Sequence, residues 1–357
     1  MSQPTGSLLL DCEARGARWA EIVLGAAEAV SLGPRPRVEE EGGESFRCQL
    51  DPLPGGGAEL IVDLAGREPS RLIVAAASGD AAAGSATDGS GGTAARAGGT
   101  GAAKEGEVSV AALDDHQGQE SYRIETDGAS WVYHRRGGGF ASLFDRDGND
   151  WLSFRPWGGS DGIYRGIPNL AHPENVFHPG ADTCVTDAPR VGPLRVSVES
   201  RAKGDDWACR WHLYPDHAEL SVLKVAHPYW LLYEGTPWGE LDEARDFCLV
   251  SDGRRRALAE RWDEVLPTPK WIAFGKEGVG RVLWLHSHAP EHAERRDSYW
   301  PMEGNMTVFG FGRLGLEKYL EHVPARFTVG LCESDSFDAV SRGIDSASRR
   351  ALLRRAG

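Results

Sequence analysis

The chain has 357 residues, of which 41% are hydrophobic and 26% are charged, a composition typical of a globular protein that can bury a substantial core. Its 39 basic and 53 acidic residues give a formal net charge of −14 at pH 7, and no stripe of lysine or arginine stands out. This charge excludes double-stranded nucleic acid and anionic membrane surfaces as favoured partners.

The N-terminus has one short apolar run, Leu8 to Leu10, and lacks the positively charged region of a secretory signal. The run is also too short to span a membrane. We therefore expect a cytoplasmic protein, or a secreted one if a signal has been trimmed away. The six cysteines form no C-x-x-C pair, which favours reduced thiols over a zinc site or a disulfide scaffold.

The chain divides by composition into three parts. Residues 1–78 contain short apolar runs broken by glycine and proline, which predict a small N-terminal β domain. Residues 79–106 are mostly glycine, alanine, serine and threonine, and they predict a disordered linker because they have little apolar surface to bury. Residues 107–357 alternate between apolar and polar positions with frequent turn signals, which predicts a large antiparallel β-sandwich and an all-β fold class.

Near the C-terminus the spacing of apolar residues changes from that of a strand to that of a helix. Phe337, Val340 and Ile344 lie at helical spacing, and arginines follow where cations favour the end of a helix. We therefore expect one α-helix over residues 336–355.

The stretch of chain from 157 to 180, WGGSDGIYRGIPNLAHPENVFHPG, carries many reactive side chains among glycines and prolines. Such a composition disfavours a helix or a central strand, and long loops inside a domain are often functional. The candidate catalytic residues in this loop are Tyr164, Arg165, His172 and His178. A fifth candidate, Glu234, lies in the string YEGTP at 233–237. The candidate substrate-binding residues in the loop are Trp157, Asn169 and Glu174.

Two further segments are candidates for the opposite wall of a cleft. Tyr299 and Trp300 lie in a second loop-like string, and the chain contains twelve tryptophans, whose indoles can stack on sugar rings. His286 and His288 follow an apolar strand at a spacing that places both imidazoles on one face. We expect no cofactor; a divalent metal at His286 and His288 is the alternative to two histidines that line a wet cleft.

Four strings carry a resemblance to known proteins: YRGIPN at 164–169, FHPG at 177–180, LYEGTP at 232–237 and DSYWPM at 297–302. They are similar to a set of uncharacterised bacterial proteins associated with carbohydrate breakdown. With the stacked antiparallel sheets and tryptophan-rich loops, the region 107–340 resembles the galactose-mutarotase-like β-sandwich group. That resemblance implies a carbohydrate partner, an oligosaccharide or polysaccharide, and carbohydrate-directed chemistry.

Four readings of the function stay open at this point, and the leading one is a carbohydrate-active enzyme of the polysaccharide lyase type. β-Elimination at a uronic-acid-type sugar needs a group that neutralises the sugar carboxylate, a base and an acid. Arg165 and Asn169 are candidates for the first role. His178 or His172 is the candidate base, and Tyr164 is the candidate acid. Glycoside hydrolysis needs two carboxylates, with Glu174 and Glu234 as the obvious pair, whereas a mutarotase-like epimerase pairs one histidine with one carboxylate. A non-catalytic carbohydrate-binding sandwich is the remaining alternative.

Overall fold

The computed structural model of the protein describes residues 7–41, 43–77, 105–156, 165–302 and 305–356. These residues form two compact units, each of which draws on separate parts of the chain. The first comprises the described parts of Met1–Gly99, Gly192–Leu194 and Asp345–Gly357, and the second comprises those of Thr100–Val191 and Arg195–Ile344. No helix in the described ranges is both long enough and apolar enough to cross a membrane.

The first unit is a closed barrel of seven strands around its own apolar core, in the order β1-β27-β2-β5-β4-β3-β6. A short helix, α1 (Ala26–Leu32), lies between the second and third strands. The strands are β1 (Leu8–Glu13), β2 (Trp19–Leu24), β3 (Pro36–Glu40), β4 (Ser45–Pro52), β5 (Ala58–Asp63), β6 (Arg71–Ala76) and β27 (Arg350–Arg355).

The C-terminal segment contains both a helix and a strand. Helix α2 spans Phe337–Ser348, which confirms a C-terminal helix, but the prediction that it continues to residue 355 is wrong. Residues Arg350–Arg355 form β27, which pairs with β1 antiparallel and with β2 in parallel. Ala351 and Leu353 are buried while their neighbours are more exposed, so the segment follows the two-residue period of a strand.

The second unit contains a ten-stranded sheet as its first layer. Its order is β11-β13-β14-β15-β26-β21-β20-β17-β18, with β12 paired to β13. The strands are β11 (Cys184–Thr186), β12 (Arg190–Val191), β13 (Val196–Ala202), β14 (Ala208–Leu213), β15 (Ala218–Lys224), β17 (Asp246–Val250), β18 (Arg255–Ala257), β20 (Trp271–Lys276), β21 (Val282–Ser287) and β26 (Ala325–Cys332).

Two four-stranded sheets and a small hairpin make up the rest of this unit. The sheet orders are β10-β9-β8-β7 and β16-β23-β22-β19. The strands are β7 (Ser109–His116), β8 (Gln119–Glu125), β9 (Ala129–His134), β10 (Gly139–Asp145), β16 (Leu231–Gly235), β19 (Trp262–Glu264), β22 (Asp297–Met302) and β23 (Met306–Phe311), and the hairpin is β24 (Arg313–Leu314) with β25 (Glu317–Lys318).

A short extended segment joins the two four-stranded sheets into one layer. Ile167 forms an isolated bridge with Phe140 of β10, and the preceding Gly166 forms one with Glu234 of β16. The backbone nitrogens of Gly166 and Glu234 each donate to the carbonyl oxygen of the other, at 2.5 and 3.0 Å. The candidate loop therefore supplies a strand-like link at the centre of the second layer.

The core of the second unit lies between this layer and the ten-stranded sheet. Phe140 packs edge-on against Trp211 of β14 with ring centroids 4.9 Å apart, and Tyr233 lies 5.2 Å from Phe274 of β20. Both contacts belong to one continuous cluster of buried apolar side chains. The predicted all-β architecture of stacked antiparallel sheets is thus confirmed. Most of the predicted linker, residues 79–104, lies outside the described residues.

Candidate functional site

The second layer has a second face, opposite the core, that carries the densest group of candidate residues. Tyr233 of β16 belongs to the core cluster, so the next residue, Glu234, points to the opposite face. Glu234 is paired with Val308 of β23, and Val308 with Trp300 of β22. Residues paired directly across strands share a face, so Glu234 and Trp300 lie on this face two strands, or about 10 Å, apart.

His178 and Asn169 converge on the carboxylate of Glu234. Nε2 of His178 lies 3.1 Å from Oε2 of Glu234, and Nδ2 of Asn169 donates to the same oxygen at 3.4 Å. The His178 and Glu234 side chains are 0% and 3% exposed. Nδ1 of His178 and Oδ1 of Asn169 have no hydrogen-bond partner among the described residues. The structure thus brings together three predicted residues and leaves two of their buried polar atoms without a hydrogen-bond partner among the described residues.

Glycines from neighbouring segments make room for the His178 backbone. A Cβ added at Gly166 would lie 2.1 Å from Cγ of Pro179, and one added at Gly137 would lie 2.5 Å from the carbonyl oxygen of His178. Phe177 has φ of 56°, a left-handed conformation that is uncommon for a bulky residue. Such a conformation persists where surrounding contacts fix it, often beside functional groups. The FHPG string is therefore held in place by close backbone packing.

Arg165, which directly precedes Gly166 in the chain, is buried and binds main-chain carbonyls. Its Nη1 donates to the carbonyl oxygen of Ser153 at 2.9 Å, and its Nη2 donates to that of Asn305 at 3.2 Å. Burial lowers the pKa of the guanidinium, and Arg155 lowers it further. Its Nε has no hydrogen-bond partner among the described residues.

Sequence reasoning missed Arg313, which follows β23 and lies over the same face. Its guanidinium carbon is 4.0 Å from the centroid of the Trp300 ring and 5.6 Å from that of Trp230. Burial lowers the pKa of Arg313 to about 10, whereas Glu234 acts in the opposite direction, which places the two charges within each other's field. The only feature of the sequence that could have identified Arg313 as a candidate is its position between glycines directly after an alternating strand.

His134 of β9 is a second buried histidine that sequence reasoning missed. Its Nδ1 accepts a hydrogen bond from the backbone nitrogen of Gly180 at 3.1 Å, so the ring proton of the neutral imidazole lies on Nε2. Burial lowers its pKa to about 3, with smaller effects from His116 and His178. His134 therefore stays neutral near pH 7 and flanks the segment that carries His178.

Trp300 lies on this face, but its ring is already occupied. The guanidinium carbons of Arg261 and Arg313 lie 3.9 and 4.0 Å from its centroid. A sugar ring would have to displace one of these cations to stack there. At the edge of the indole, Nε1 is buried and has no hydrogen-bond partner among the described residues.

Tyr299 does not form part of the site. It is fully buried, belongs to the core cluster, and donates its hydroxyl to the carbonyl oxygen of Leu258 at 2.7 Å. Since neighbours in a strand point to opposite faces, Trp300 and Tyr299 cannot share a wall. The prediction that they do is wrong.

His286 and His288 do not lie opposite the loop either. Leu285 of β21 points into the core, so His286 lies on the far face of the ten-stranded sheet, with the core between it and Glu234. Nε2 of His288 lies 3.0 Å from Oγ1 of Thr328 on that far face, and the two imidazole centroids are 4.0 Å apart. Within the described ranges no group of three or more histidine, cysteine, aspartate or glutamate side chains is placed to hold a metal ion. The predicted cleft wall is wrong, because the two histidines face away from the loop.

The remaining candidates are placed apart from Glu234 or are not described. Glu174 is 47% exposed and lies 3.7 Å from Nε2 of His227, and His172 is partly exposed with Nδ1 3.4 Å from Oδ1 of Asn175. Neither has a contact with the Glu234 carboxylate among the described interactions. Trp157 and Tyr164 lie outside the described residues.

Comparison with family models and with curated proteins finds no match for this chain. Among solved structures, it is similar to HI1317 (TM-score 0.44, 10% identity), to YeaD from Salmonella typhimurium, described as a candidate mutarotase (0.41, 12%), and to the galactose mutarotase-like protein CA_C0697 from Clostridium acetobutylicum (0.40, 10%). Each similarity covers 63% of this chain and 99%, 93% and 98% of the respective protein.

Proposed function

We propose that this chain is a carbohydrate-active enzyme that moves protons at a sugar ring, and that mutarotase-like anomeric interconversion is its reaction. The observation that carries the proposal is the buried contact of 3.1 Å between His178 Nε2 and Glu234 Oε2. A histidine paired with one carboxylate is the arrangement that a sugar epimerase needs. Positioned acid–base groups of this kind contribute roughly 10²–10⁴-fold to a rate.

The chemistry requires one acceptor and one donor of protons. As the ring opens, the anomeric hydroxyl loses its proton, the C1–O5 bond breaks, and O5 gains a proton. Closure on the other face of the carbonyl reverses these transfers, so the pair returns to its starting protonation state. Nδ1 of His178, which has no partner among the described residues, would accept the anomeric proton and then deliver it to O5, while the contact of Nε2 with Glu234 holds the imidazole in place.

Hydrolysis with two carboxylates receives no support from this geometry. A hydrolase needs two carboxylates facing one glycosidic bond. Glu174 is exposed beside His227. Asp297 is buried, and its Oδ2 forms an ion pair with Nζ of Lys270 at 2.7 Å. Neither carboxylate is therefore placed as the partner of Glu234. β-Elimination at a uronate remains the second candidate, because Arg165 is buried without an ion pair among the described residues and keeps Nε unpartnered.

Anomer exchange measured by NMR on a panel of hexoses and hexuronates tests the proposal. We expect catalysed exchange, and a loss of at least about 100-fold in His178→Ala and in Glu234→Gln, because each removes one member of the acid–base pair. His322 and Glu291 form a matched exposed pair with a separation of 3.7 Å, so His322→Ala and Glu291→Gln should keep full activity.

Two results would contradict the mutarotase assignment. Release of an unsaturated product from uronate polymers, seen by ultraviolet absorbance, without anomer exchange would establish the lyase reading instead. Sugar binding without turnover by the wild-type protein would make the chain a binding module.

A further inference from the structure

Arg313 occupies a space that a glycine leaves for it. A Cβ added at Gly310 of β23 would lie 2.9 Å from Cδ of Arg313 and 2.5 Å from Cδ2 of Leu232. Real Cβ atoms essentially never approach so closely, so the stem of Arg313 crosses the strand where no side chain projects. Gly310 is paired with Leu232 and Ser298, and therefore lies on the same face as Glu234.

The guanidinium of Arg313 forms no direct ion pair within the described part of the chain, although the carboxylates of Glu234 and Asp263 attract it from farther away. The residue is 2% exposed; its Nε donates to the carbonyl oxygen of Gly315 at 2.9 Å and its Nη1 to that of Val308 at 3.4 Å. No described carboxylate lies within ion-pair distance, and no hydrogen bond of Nη2 is recorded among the described residues. A buried, unpaired guanidinium is costly, so a bound anion would relieve it.

Most of the other unpartnered groups around Arg313 are donors, and one is an acceptor, Oδ1 of Asp263, which shares the face because Asp263 is paired with Ser298. The indole Nε1 atoms of Trp230 and Trp300 and the hydroxyl of Ser298 lack hydrogen-bond partners among the described residues. Nζ of Lys318 lies 4.7 Å from the centroid of Trp230, which adds another cation. An indole N–H and a guanidinium can only donate, whereas an ionised carboxylate can only accept. Donors therefore outnumber acceptors among the unmatched groups around Arg313, which suits a ligand that accepts hydrogen bonds and carries negative charge.

We propose that this face binds the carboxylate of an acidic sugar, with Arg313 as its main partner and the sugar ring directed toward His178 and Glu234. The inference rests on the proposed function and names its substrate class. One buried cation without a direct ion pair matches one negative charge, and the nearby Glu234 and Asp263 carboxylates disfavour a dianion. Arg313 is thus the residue that sets specificity for a hexuronate over a neutral hexose.

Binding measured by calorimetry with glucuronate, glucose and glucose 6-phosphate tests this inference. We expect glucuronate to bind at least about tenfold more tightly than glucose, and Arg313→Gln to abolish the difference. Arg342→Gln, which removes one exposed charge from helix α2, should leave it unchanged. Equal affinities for glucuronate and glucose, or tighter binding of the phosphate than of the uronate, would overturn the inference.

Two further measurements keep the test decisive if Arg313→Gln does not fold. Gly310→Ala displaces the Arg313 stem without removing its charge and should weaken the preference for glucuronate. In the wild-type protein the preference for glucuronate over glucose should shrink as the salt concentration rises from about 0.05 to about 0.5 M, because screening weakens charge attraction. A preference unaffected by salt would contradict the inference. Since the readout is binding, a protein that prefers glucuronate but turns nothing over would refute only the proposed enzyme activity.

Discussion

At the scale of single residues, Arg165 shows how a reactive side chain can be held by the backbone. Two of its nitrogens bind the carbonyl oxygens of Ser153 and Asn305, which belong to segments far apart in sequence. These carbonyls lose their partner if the guanidinium is removed, and unsatisfied buried polar groups are costly. Arg165 therefore contributes to stability as well as to any contact with substrate.

Replacement of Arg165 by glutamine should destabilise the protein by roughly 3 kcal/mol, because two hydrogen bonds from a charged donor are lost. The measurement is the free energy of unfolding in urea. Arg155→Gln is the matched control, since Arg155 is exposed and no hydrogen bond of its side chain is recorded among the described residues. A change below about 0.5 kcal/mol in Arg165→Gln, within the range of ordinary surface substitutions, would contradict a structural role.

Sequence reasoning found His178, Asn169 and Glu234 as candidates, but it could not establish that they meet. The contact depends on the pairing of Gly166 with Glu234, which are 68 positions apart in the numbering, and no local pattern encodes such a pairing. Tyr299 was misplaced because its loop-like glycines and prolines conceal a strand whose alternation places Tyr299 in the core. Arg313 was missed because its burial depends on which face of β23 Gly310 leaves open, and the glycine alone does not reveal that face.

At the scale of elements, the segment from Arg165 to Gly180 acts as a link between sheets rather than as a free loop. Gly166 is bridged to Glu234, and Ile167 to Phe140. Pro179 packs where a side chain on Gly166 would otherwise project. The position of His178 is therefore coupled to the strand pairing of residues twelve positions earlier in the sequence.

Gly166→Ala should lower activity by at least about tenfold and reduce stability, because its φ of 135° and the 2.1 Å approach to Pro179 exclude a side chain. Thermal unfolding and the anomer-exchange rate measure the two effects. Gly343→Ala is the control, since nothing lies within 4 Å of a Cβ added there and α2 should gain helix propensity. Full activity in Gly166→Ala would show that His178 is positioned independently of this contact.

At the scale of the whole molecule, buried histidines make stability depend on pH. Burial lowers the pKa of His134 to about 3, and those of His286 and His292 to about 4, from an ordinary value of 6.5. Each takes up a proton on unfolding when the pH lies between its folded and ordinary values, so stability falls as pH falls below 6.5. Asp297 acts in the opposite sense, because burial raises its pKa to about 6 and it releases a proton on unfolding.

For these four groups the net proton uptake on unfolding near pH 5 is about two protons. The free energy of unfolding therefore falls by roughly 3 kcal/mol for each unit by which the pH is lowered. Urea unfolding at about pH 7, 6 and 5 measures the slope. In His292→Gln we expect the slope to fall by about 1.4 kcal/mol per pH unit, the contribution of one proton. Stability that is constant or rising over this acidic range would contradict the linkage.

The insertion of β27 between β1 and β2 has a consequence for the order in which the protein is made. A ribosome releases the chain from its N-terminus, so β1 to β6 emerge first and can pair through β2-β5-β4-β3-β6-β1. The gap between β1 and β2 stays open until Arg350–Arg355 has been synthesised, after every strand of the second unit. During that interval two strand edges are available to foreign chains, which makes the nascent barrel a natural client for a chaperone.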